Sequence, residues 1–599
     1  MPSSPSPGQH ASAAFHEHAD GADVDVAIAT HLAALASTEG RSGRASLRKE
    51  QGSHYTPPGL VAWILDHALT VCPTPRAVLD PACGAGNFLV AAAERLIAAG
   101  IPATNVLADR IAGIDLDRDA VRLCRARLQA LLPPDASPSE RARAEAGILA
   151  HVVVGDAFAQ PLARAVGIAT LDVIVGNPPF LNQLEVATAA TRPRAAAIAE
   201  RTGGVVGGYA DAAVAFLIDA CRSVSERGVV GFVMPQSFLA SKDARVARDW
   251  LAASMRPCAI WTADERLFDG AGVRVAAVVV ERAPGLDAGP LFPWSVRRSF
   301  GAEFAAHAPM SGDRLASGEP WSALFADLRG IPELGVHRGA TIGSIAVATA
   351  DFRDQFYGLR GAVLDRRESD EALHPRLVTT RHIDLACCRW GEQPVKLLGA
   401  RVEAPRADRS ALAASDAMQS WMRARLVPKV LVATQTRVME AVVDERGAWL
   451  PVVPLIATTL RGEARADGVD LWMLAAAVAS PVVAAEAARL SYGAALSAHA
   501  IKLSAKQLLA MPLPADRDAW RESAALFRSA SYAPDDVARE GLLRRFAEAS
   551  CRAHGLDAAP RADLLRFWCD RAFGAVRGVQ RRAKTTAPAE AGAIVPNSL

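Results

Sequence analysis

The feature that most constrains the fold is a series of short apolar runs, each followed by an acidic or amide side chain. These side chains are Asp80, Asp115, Asp156 and Asn177, and stretches with helical periodicity separate them. Buried parallel strands read as brief, β-branched apolar runs of this kind, joined by helices that cross over the sheet. In open α/β sheets, ligands bind at the carboxyl ends of the strands. The sequence therefore predicts a parallel sheet whose ligand-binding edge carries these four side chains.

The first run leads into a glycine turn that suits a nucleoside ligand. The segment from Asp80 to Phe88 reads Asp-Pro-Ala-Cys-Gly-Ala-Gly-Asn-Phe, and a helix follows. Gly84 and Gly86 permit close approach of the backbone, and the helix N-terminus presents N–H groups. Leu89 stands where a dinucleotide fingerprint has its third glycine. Because a carboxylate at Asp80 would repel a pyrophosphate, the turn favours a nucleoside cofactor without phosphates.

The acids after the next two runs are placed to hold the two parts of a nucleoside. In Rossmann-type sheets an acid about 20–30 residues after the glycine turn binds ribose hydroxyls, and Asp115 fits that spacing. Asp117 is predicted to cap the helix that starts at Arg118. Asp156 lies where a side chain reaches the exocyclic amine of an adenine, and Phe158 is predicted to flank that ring.

The fourth run ends in a rigid corner, Asn177-Pro178-Pro179-Phe180. Two successive prolines fix φ and remove two backbone donors, which leaves rigid carbonyls pointing into a pocket. Asn177 adds a side-chain acceptor and Phe180 adds a flat apolar face. Such a corner suits a planar amine, with acceptors for its two N–H groups and a ring to stack on its π system. In isolation, the four residues are equally consistent with a polar turn after a core strand.

Together and in this order, the motifs resemble those of the S-adenosyl-L-methionine-dependent DNA adenine-N6 methyltransferases of the gamma class, a type II restriction-modification family. In that class an entry motif, here Tyr55-Thr56-Pro57-Pro58, comes first and target recognition comes last. The resemblance covers residues 51–282. Phe180 departs from it, since tyrosine is commoner there; stacking is kept and only the hydroxyl is lost. The resemblance implies an α/β fold with a Rossmann-like, seven-stranded methyltransferase domain, followed by a C-terminal mixed α/β target-recognition domain.

The resemblance also implies roles for individual residues. A flipped target adenine would lie at Asn177, Pro178, Pro179 and Phe180, with Phe268 covering its other face. Asp156 and Phe158 would contact the adenine of the cofactor. The remaining cofactor-binding residues would surround its methionine and ribose parts: Thr56, Asp80, Ala82, Gly84, Gly86 and Asp115. From the residues alone, Thr56 is also placed to cap the following helix.

The C-terminal half is longer than a cofactor-binding domain needs, and it is predicted to recognise DNA. Residues 426–438 are predicted to form a strand, 441–449 a hairpin and 471–490 one helix. Side chains that we expect to contact DNA phosphates or bases are Lys429, Arg437, Lys502 and Lys506. The predicted organisation is a flexible tail (1–44), the catalytic domain (45–283), the target-recognition domain (284–586) and a second tail (587–599).

Composition limits the partners and the compartment. No apolar run is long enough to cross a bilayer, which predicts that the protein does not enter a membrane. The nine cysteines include no C-x-x-C pair, which indicates a reduced cytoplasmic protein without a metal site. The net charge of +2 leaves DNA binding to a local basic surface.

These observations predict an adenine-specific DNA methyltransferase that transfers a methyl group to N6 of a flipped base in double-stranded DNA. Its setting would be restriction-modification or phage defence, with restriction or defence-system subunits as further partners. Two alternatives stay open. The same corner holds the amide of a protein glutamine or an RNA adenine, so that either could be the acceptor. The chain is also consistent with a DNA-binding defence subunit that needs a partner for activity.

Overall fold

The computed structural model describes residues 56–180, 192–206, 211–267, 274–282, 294–316, 318–334, 339–351, 353–491 and 500–574. The chain divides into two units, residues 1–324 and 325–599. Both predicted tails, Phe268 and the predicted domain boundary at residues 283 and 284 lie outside the described residues. The domain limits therefore stay a prediction.

A nine-stranded sheet forms the centre of the first unit within the described residues. Its strands in chain order, β1 to β9, are Val78–Asp80, Ile111–Asp115, Val152–Val154, Val173–Gly176, Val229–Pro235, Arg256–Thr262, Val275–Glu281, Ser295–Phe300 and Ala305–Ser311. The spatial order is β3-β2-β1-β4-β5-β7-β6-β8-β9. Strands β1 to β5 run parallel, and β7 is antiparallel to both β5 and β6. The Rossmann-like fold is confirmed, and β8 and β9 extend the seven strands that the resemblance implies.

Helices connect the parallel strands of this sheet. In chain order, α1 to α10 are Pro58–Val71, Asn87–Ala98, Ala103–Asp109, Arg118–Gln129, Pro138–His151, Leu162–Ala165, Arg192–Arg201, Ala212–Ser223, Arg245–Ser254 and Asp313–Ala316. Helix α1 starts with Pro58, whose fixed φ suits the first helical position. Leu60 and Ile64 of α1 are wholly buried in the same core as Val78 and Val173 of the sheet.

The strand order reverses at β1, which pairs with β2 on one side and β4 on the other. Such a switch point opens a crevice outside the carboxyl ends of the strands, because the flanking connections leave in opposite directions. Asp80 is the last residue of β1, and Asn177 directly follows β4. The two side chains are therefore carried to the crevice by adjacent strands.

The second unit combines small sheets with a helical layer. Its strands, β10 to β21, are Ala346–Ala350, Val363–Asp365, Arg376–Val378, Ile383–Asp384, Cys387–Cys388, Val395–Leu397, Ala400–Val402, Pro405–Ala407, Lys429–Ala433, Glu440–Asp444, Trp449–Pro451 and Ile456–Leu460. They form two four-stranded sheets, β10-β21-β18-β19 and β11-β17-β12-β20, and the pairs β13-β14 and β15-β16. The mixed α/β character is as predicted.

The helices of this unit, α11 to α21, are Ile342–Ile345, Arg353–Gly358, Arg409–Ala413, Asp416–Arg425, Gly462–Ala466, Leu471–Ala479, Pro481–Ser491, Ala505–Leu509, Arg517–Ser531, Asp536–Ala553 and Ala558–Phe573. Short 3₁₀ turns lie at Gln236–Leu239, Trp321–Phe325, Asp327–Arg329 and Thr380–His382 along the chain. In the described residues no single helix is long and apolar enough to span a membrane; α16 and α17 pass that test only as a pair bent by 50°.

Two predictions for this half were wrong in detail. The hairpin over 441–449 does not form, because β19 pairs with β18 while β20 joins a different sheet beside β12. The single helix over 471–490 is two helices, α16 and α17, with a break at Ser480. Pro481 explains the break, since a proline disfavours helical dihedral angles in the residue before it.

Candidate active site

The glycine turn after β1 is held open by backbone dihedral angles that favour glycine. Gly84 and Gly86 have φ values of 51° and 87°. A Cβ at Gly86 would lie 2.5 Å from Cys124 Sγ, whereas a Cβ at Gly84 would meet no atom within 4 Å. Gly86 is needed for packing beneath the turn, and Gly84 faces open space. The turn therefore has room for a ligand directly above Gly84.

Asp115 fastens this turn to the neighbouring strand. Its Oδ2 accepts a hydrogen bond from Gly84 N at 2.8 Å, and its Oδ1 accepts one from Asp117 N at 2.9 Å. Burial raises the pKa of Asp115, while these N–H groups act in the opposite direction. Asp117 caps α4 through the N–H groups of Asp119 and Ala120, as predicted. Asp115 thus sets the shape of the cofactor turn as well as being a candidate ligand.

Asp80 is a buried carboxyl group at the centre of the crevice. It is 2% exposed, and its Oδ1 accepts a hydrogen bond from Ala82 N at 2.9 Å. Burial is the main reason why its pKa is raised to about 8; the Ala82 N–H opposes the shift, and the nearby Asp115 adds to it. At neutral pH, Asp80 is therefore mostly protonated in the ligand-free protein.

Gly176, at the end of β4, lies directly against the side chain of Asp80. A Cβ at position 176 would stand 2.6 Å from Asp80 Oδ1. Overpacking of this kind costs about 1–3 kcal/mol, so we expect Gly176→Ala to displace Asp80 and weaken cofactor binding about tenfold. Isothermal titration measures the effect. Gly462→Ala is the control, because its Cβ would meet nothing within 4 Å; equal affinity for both variants would contradict the prediction.

The loop after β3 is fixed by an arginine that the sequence reasoning missed. Arg201 Nε and Nη2 donate to Asp219 at 2.9 and 2.6 Å, and Nη1 donates to the carbonyls of Ala157 and Gln160. This ion pair is largely buried. Asp156 Oδ1 accepts from Phe158 N at 3.0 Å. The network fixes the loop that carries Asp156, and no motif signals it because its members are far apart in sequence.

Leu116 is an exposed apolar residue next to Asp115, the acid predicted to bind the ribose. Its side chain is 64% exposed although it follows Asp115 at the end of β2. Phe158, predicted to flank the adenine, is only 3% exposed and packs edge-on against Phe216, with ring centroids 4.8 Å apart. In the sequence, the available signal is a large apolar residue directly after Asp115, the acid predicted to bind the ribose. The role of Phe158 at the ring stays a prediction.

Thr56 and Asn177 are joined by a hydrogen bond across the crevice. Asn177 Nδ2 donates to Thr56 Oγ1 at 3.0 Å. The capping role predicted for Thr56 is wrong, because Pro57 occupies the N-cap position of α1 and no side chain caps the helix. Pro178 is buried, and Phe180 is half-buried against the core of the first unit. Thr56 of the entry motif thus contacts Asn177 of the corner, which follows the strand paired with the one that carries Asp80.

The DNA-contact residues predicted in the second unit have different environments. Lys429 is wholly buried and ion-paired with Asp444, so it has no access to DNA, and its predicted DNA contact is wrong. Arg437 is half-buried, and its carbonyl accepts from Arg571 Nη1 at 3.2 Å. Lys502 and Lys506 are exposed. Arg437, Lys502 and Lys506 stay predictions. Across the described residues, no group of His, Cys, Asp or Glu is arranged to hold a metal ion.

Comparison with known proteins agrees with this fold. The solved structure of the type IIL restriction-modification enzyme MmeI in complex with DNA matches with 12% identity and a TM-score of 0.51, over 93% of this chain and 79% of that chain. A nuclease-deletion mutant of the type ISP restriction-modification enzyme LlaGI, in complex with a DNA substrate mimic, matches with 12% identity and a TM-score of 0.50, over 85% and 56%. At 12% identity, these two similarities support the fold alone.

A modification subunit assigned to a type I restriction enzyme of Vibrio vulnificus YJ016 is 19% identical over 47% of this chain, with a TM-score of 0.33; the chain spans about half of that subunit, 53% of its length. The family model of the N-6 DNA methylases matches residues 44–284, the segment that carries the glycine turn, the strand-end acids and the Asn-Pro-Pro-Phe corner. Residues 44–284 of the chain therefore belong to the N-6 DNA methylase family.

Proposed function

We propose that the chain is a site-specific DNA methyltransferase that transfers the methyl group of S-adenosyl-L-methionine to N6 of an adenine in double-stranded DNA, within a restriction-modification or other defence system. The observation that carries the proposal is the Asn177 corner at the switch point. It lies on the strand next to Asp80, and its amide is bonded to Thr56. A rigid pair of acceptors beside a nucleoside-binding crevice is what transfer to a planar amine requires.

The residues around the crevice fit the cofactor. The open space at Gly84 would admit the methionine part, the carboxyl group of Asp115 would bind the ribose, and the exposed Leu116 would offer an apolar face to the adenine. Asp156, whose Oδ1 accepts from the Phe158 N–H, would bind the exocyclic amine of that adenine. When bound, S-adenosyl-L-methionine supplies a methyl group on a sulfonium, which needs no metal or redox step.

The corner residues would act on the acceptor amine. The N6 lone pair of adenine is delocalised into the ring, which makes N6 a poor nucleophile. Asn177 Oδ1 and the Pro178 carbonyl would each accept one N6–H, favouring a tetrahedral nitrogen whose lone pair is available to the methyl group. The rate gain would come from orientation and placed dipoles, and no strongly basic residue stands in the motif.

Phe180 would stack on the acceptor base. A duplex base is out of reach in place, so the adenine must be extruded into the site. Phe180 would also lie near the sulfonium, where a cation–π contribution of about 0.5–2 kcal/mol is expected. Phe268, proposed for the opposite face of the base, lies outside the described residues. Arg437, Lys502 and Lys506 are our candidates for contacts to the DNA backbone.

The raised pKa of Asp80 makes cofactor binding depend on pH. Because the folded-state pKa is about 8, the carboxyl group is mostly protonated at pH 7. The protonated form is the one that folding favours, so its contribution to folding stability is present at low pH and is lost as the pH rises through about 8. A cationic cofactor favours the ionised form. We therefore expect binding at pH 7 to release a proton and affinity to rise up to about pH 8.

Titration calorimetry in two buffers of different ionisation heat measures this proton release. Asp80→Asn is the control, since its amide cannot ionise and should remove both the proton release and the pH dependence. Binding to the unaltered chain without proton release would show that Asp80 does not carry this coupling.

The proposed function is tested by offering the pure chain three acceptors with tritium-labelled cofactor: unmethylated genomic DNA, RNA and a glutamine-containing peptide. We expect label in DNA. Label confined to RNA or to the peptide would replace the proposal with one of those acceptors. Bound cofactor without any transfer would reject a self-sufficient enzyme in favour of a subunit that needs a partner.

A further inference from the structure

We propose that Thr56 is a positioning residue, whose hydroxyl holds the side-chain amide of Asn177 so that Oδ1 faces the acceptor amine. The inference rests on the proposed function, since it deepens the account of the same site. It also gives Thr56 a role distinct from the cofactor contact that the family resemblance implies. The proposal is based on the 3.0 Å hydrogen bond from Asn177 Nδ2 to Thr56 Oγ1, which joins residues 121 positions apart in the sequence.

Thr56 is itself held in place by the glycine turn. Its side chain is 5% exposed, and its carbonyl accepts from Asn87 Nδ2 at 3.5 Å. Arg127 Nη1 orients Asn87 by donating to Asn87 Oδ1 at 2.8 Å and to Ala85 O at 2.9 Å. The residue after Thr56 is Pro57, which restricts its backbone. The hydroxyl is therefore a fixed reference point for the amide of Asn177.

The hydrogen bond matters because an asparagine amide has two orientations of nearly the same shape. The distribution of its χ2 torsion is broad and roughly two-fold, so packing alone does not determine which side of the amide carries the oxygen and which the nitrogen. In one orientation Asn177 presents an acceptor to the amine, and in the other it presents a donor, which would repel the N–H groups. With Nδ2 directed to Thr56, Oδ1 lies on the opposite branch of the amide, where an acceptor is needed.

This arrangement links the cofactor turn to the acceptor corner. Hydrogen bonds run from Arg127 through Asn87 to the carbonyl of Thr56, and the hydroxyl of Thr56 accepts from Asn177. Because the carbonyl of Thr56 meets the turn and its hydroxyl meets Asn177, loss of the hydroxyl should act on the chemical step and not on cofactor affinity. A residue that only binds the cofactor would show the reverse pattern.

Thr56→Val tests the inference, because valine keeps the shape of threonine and removes the hydroxyl. We expect kcat for methyl transfer to fall about 10- to 100-fold, the range for a misplaced catalytic group, with the cofactor Kd unchanged within about twofold, and Thr56→Ser to restore most of kcat. Thr70→Val is the matched control, since Thr70 is an exposed residue of α1 whose hydroxyl donates only to Asp66 O. A weaker Kd with unchanged kcat at saturation would overturn the proposal.

A spectroscopic readout keeps the inference testable even if the chain transfers no methyl group by itself. In protein labelled with ¹⁵N only at asparagine, side-chain amide signals arise from few positions: Asn87, Asn105, Asn177, Asn182 and Asn597. The Asn177 signal is assigned by its loss in Asn177→Ala. We expect Thr56→Val to shift that signal and Thr56→Ser to leave it near its original position. An unmoved signal in Thr56→Val would reject the positioning role, whereas absent methyl transfer with a moved signal would reject only the proposed function.

Discussion

Replacing Asn177 with alanine is expected to lower kcat for methyl transfer at least about 10³-fold, because a placed dipole of this kind contributes on the order of 10²–10³ and Asn177 also orients the amine. The cofactor Kd should change by less than about twofold, since the cofactor-binding candidates Asp80 and Asp115 stand on other strands. The expected loss is thus confined to the chemical step. Single-turnover transfer from labelled cofactor separates that step from binding and product release.

Asn105→Ala provides the matched control for this substitution. Asn105 is exposed on α3, and its Oδ1 accepts from Arg143 Nη1 at the surface. We expect its kcat and Kd to equal those of the unaltered chain. If Asn177→Ala kept more than about a tenth of the activity, the amide would not be the main acceptor for the amine, and the assignment of the site would be wrong.

The second large effect is on stability and concerns Lys429. Its side chain is 0% exposed, and that of its partner Asp444 is 2% exposed. The two residues face each other in the register of β18 and β19. Burial lowers the pKa of Lys429, and the charge of Asp444 opposes that shift. Asp444 also accepts from the N–H groups of Ala448 and Trp449, both at 3.0 Å, so this carboxylate anchors the chain leading into β20.

Lys429→Ala is expected to lower the free energy of unfolding of the second unit by about 3–5 kcal/mol, because it leaves a buried carboxylate without its counter-charge. Denaturant unfolding measures the change. Lys396→Ala, on an exposed position of β15, should change the free energy by less than about 0.5 kcal/mol. If Lys429→Ala lowered the free energy of unfolding as little as Lys396→Ala does, that result would contradict a stabilising buried ion pair.

The strand ends of the first unit were predictable because they depend on local sequence. A buried parallel strand must be apolar along its whole length, so its end shows as a change to Asp, Asn, Gly or Pro. The predicted ends at Asp80 and Asp115 coincide with the observed ones. The crossover helices then order the strands, since parallel neighbours require such connections.

Features that depend on distant partners were not predictable from local sequence. Lys429 looks like a solvated charge until Asp444 is brought opposite it by strand pairing. Thr56 precedes a helix, which suggested a cap, yet its hydroxyl meets Asn177 from a different part of the chain. The break at Ser480 was foreseeable, because Pro481 follows it directly. The positions of the strand-end acids follow from the sequence pattern, whereas the orientation of Asn177 depends on the fold.

Nucleoside analysis is the direct test of whether the chain alone methylates adenine N6 in DNA. Unmethylated genomic DNA is incubated with the pure chain and cofactor, digested, and analysed by mass spectrometry, with Asn177→Ala alongside. We expect N6-methyldeoxyadenosine from the unaltered chain and none from the variant, with modification-sensitive sequencing placing the methyl groups in one short recurring site. Methyl groups on cytosine, or equal products from both proteins, would contradict it.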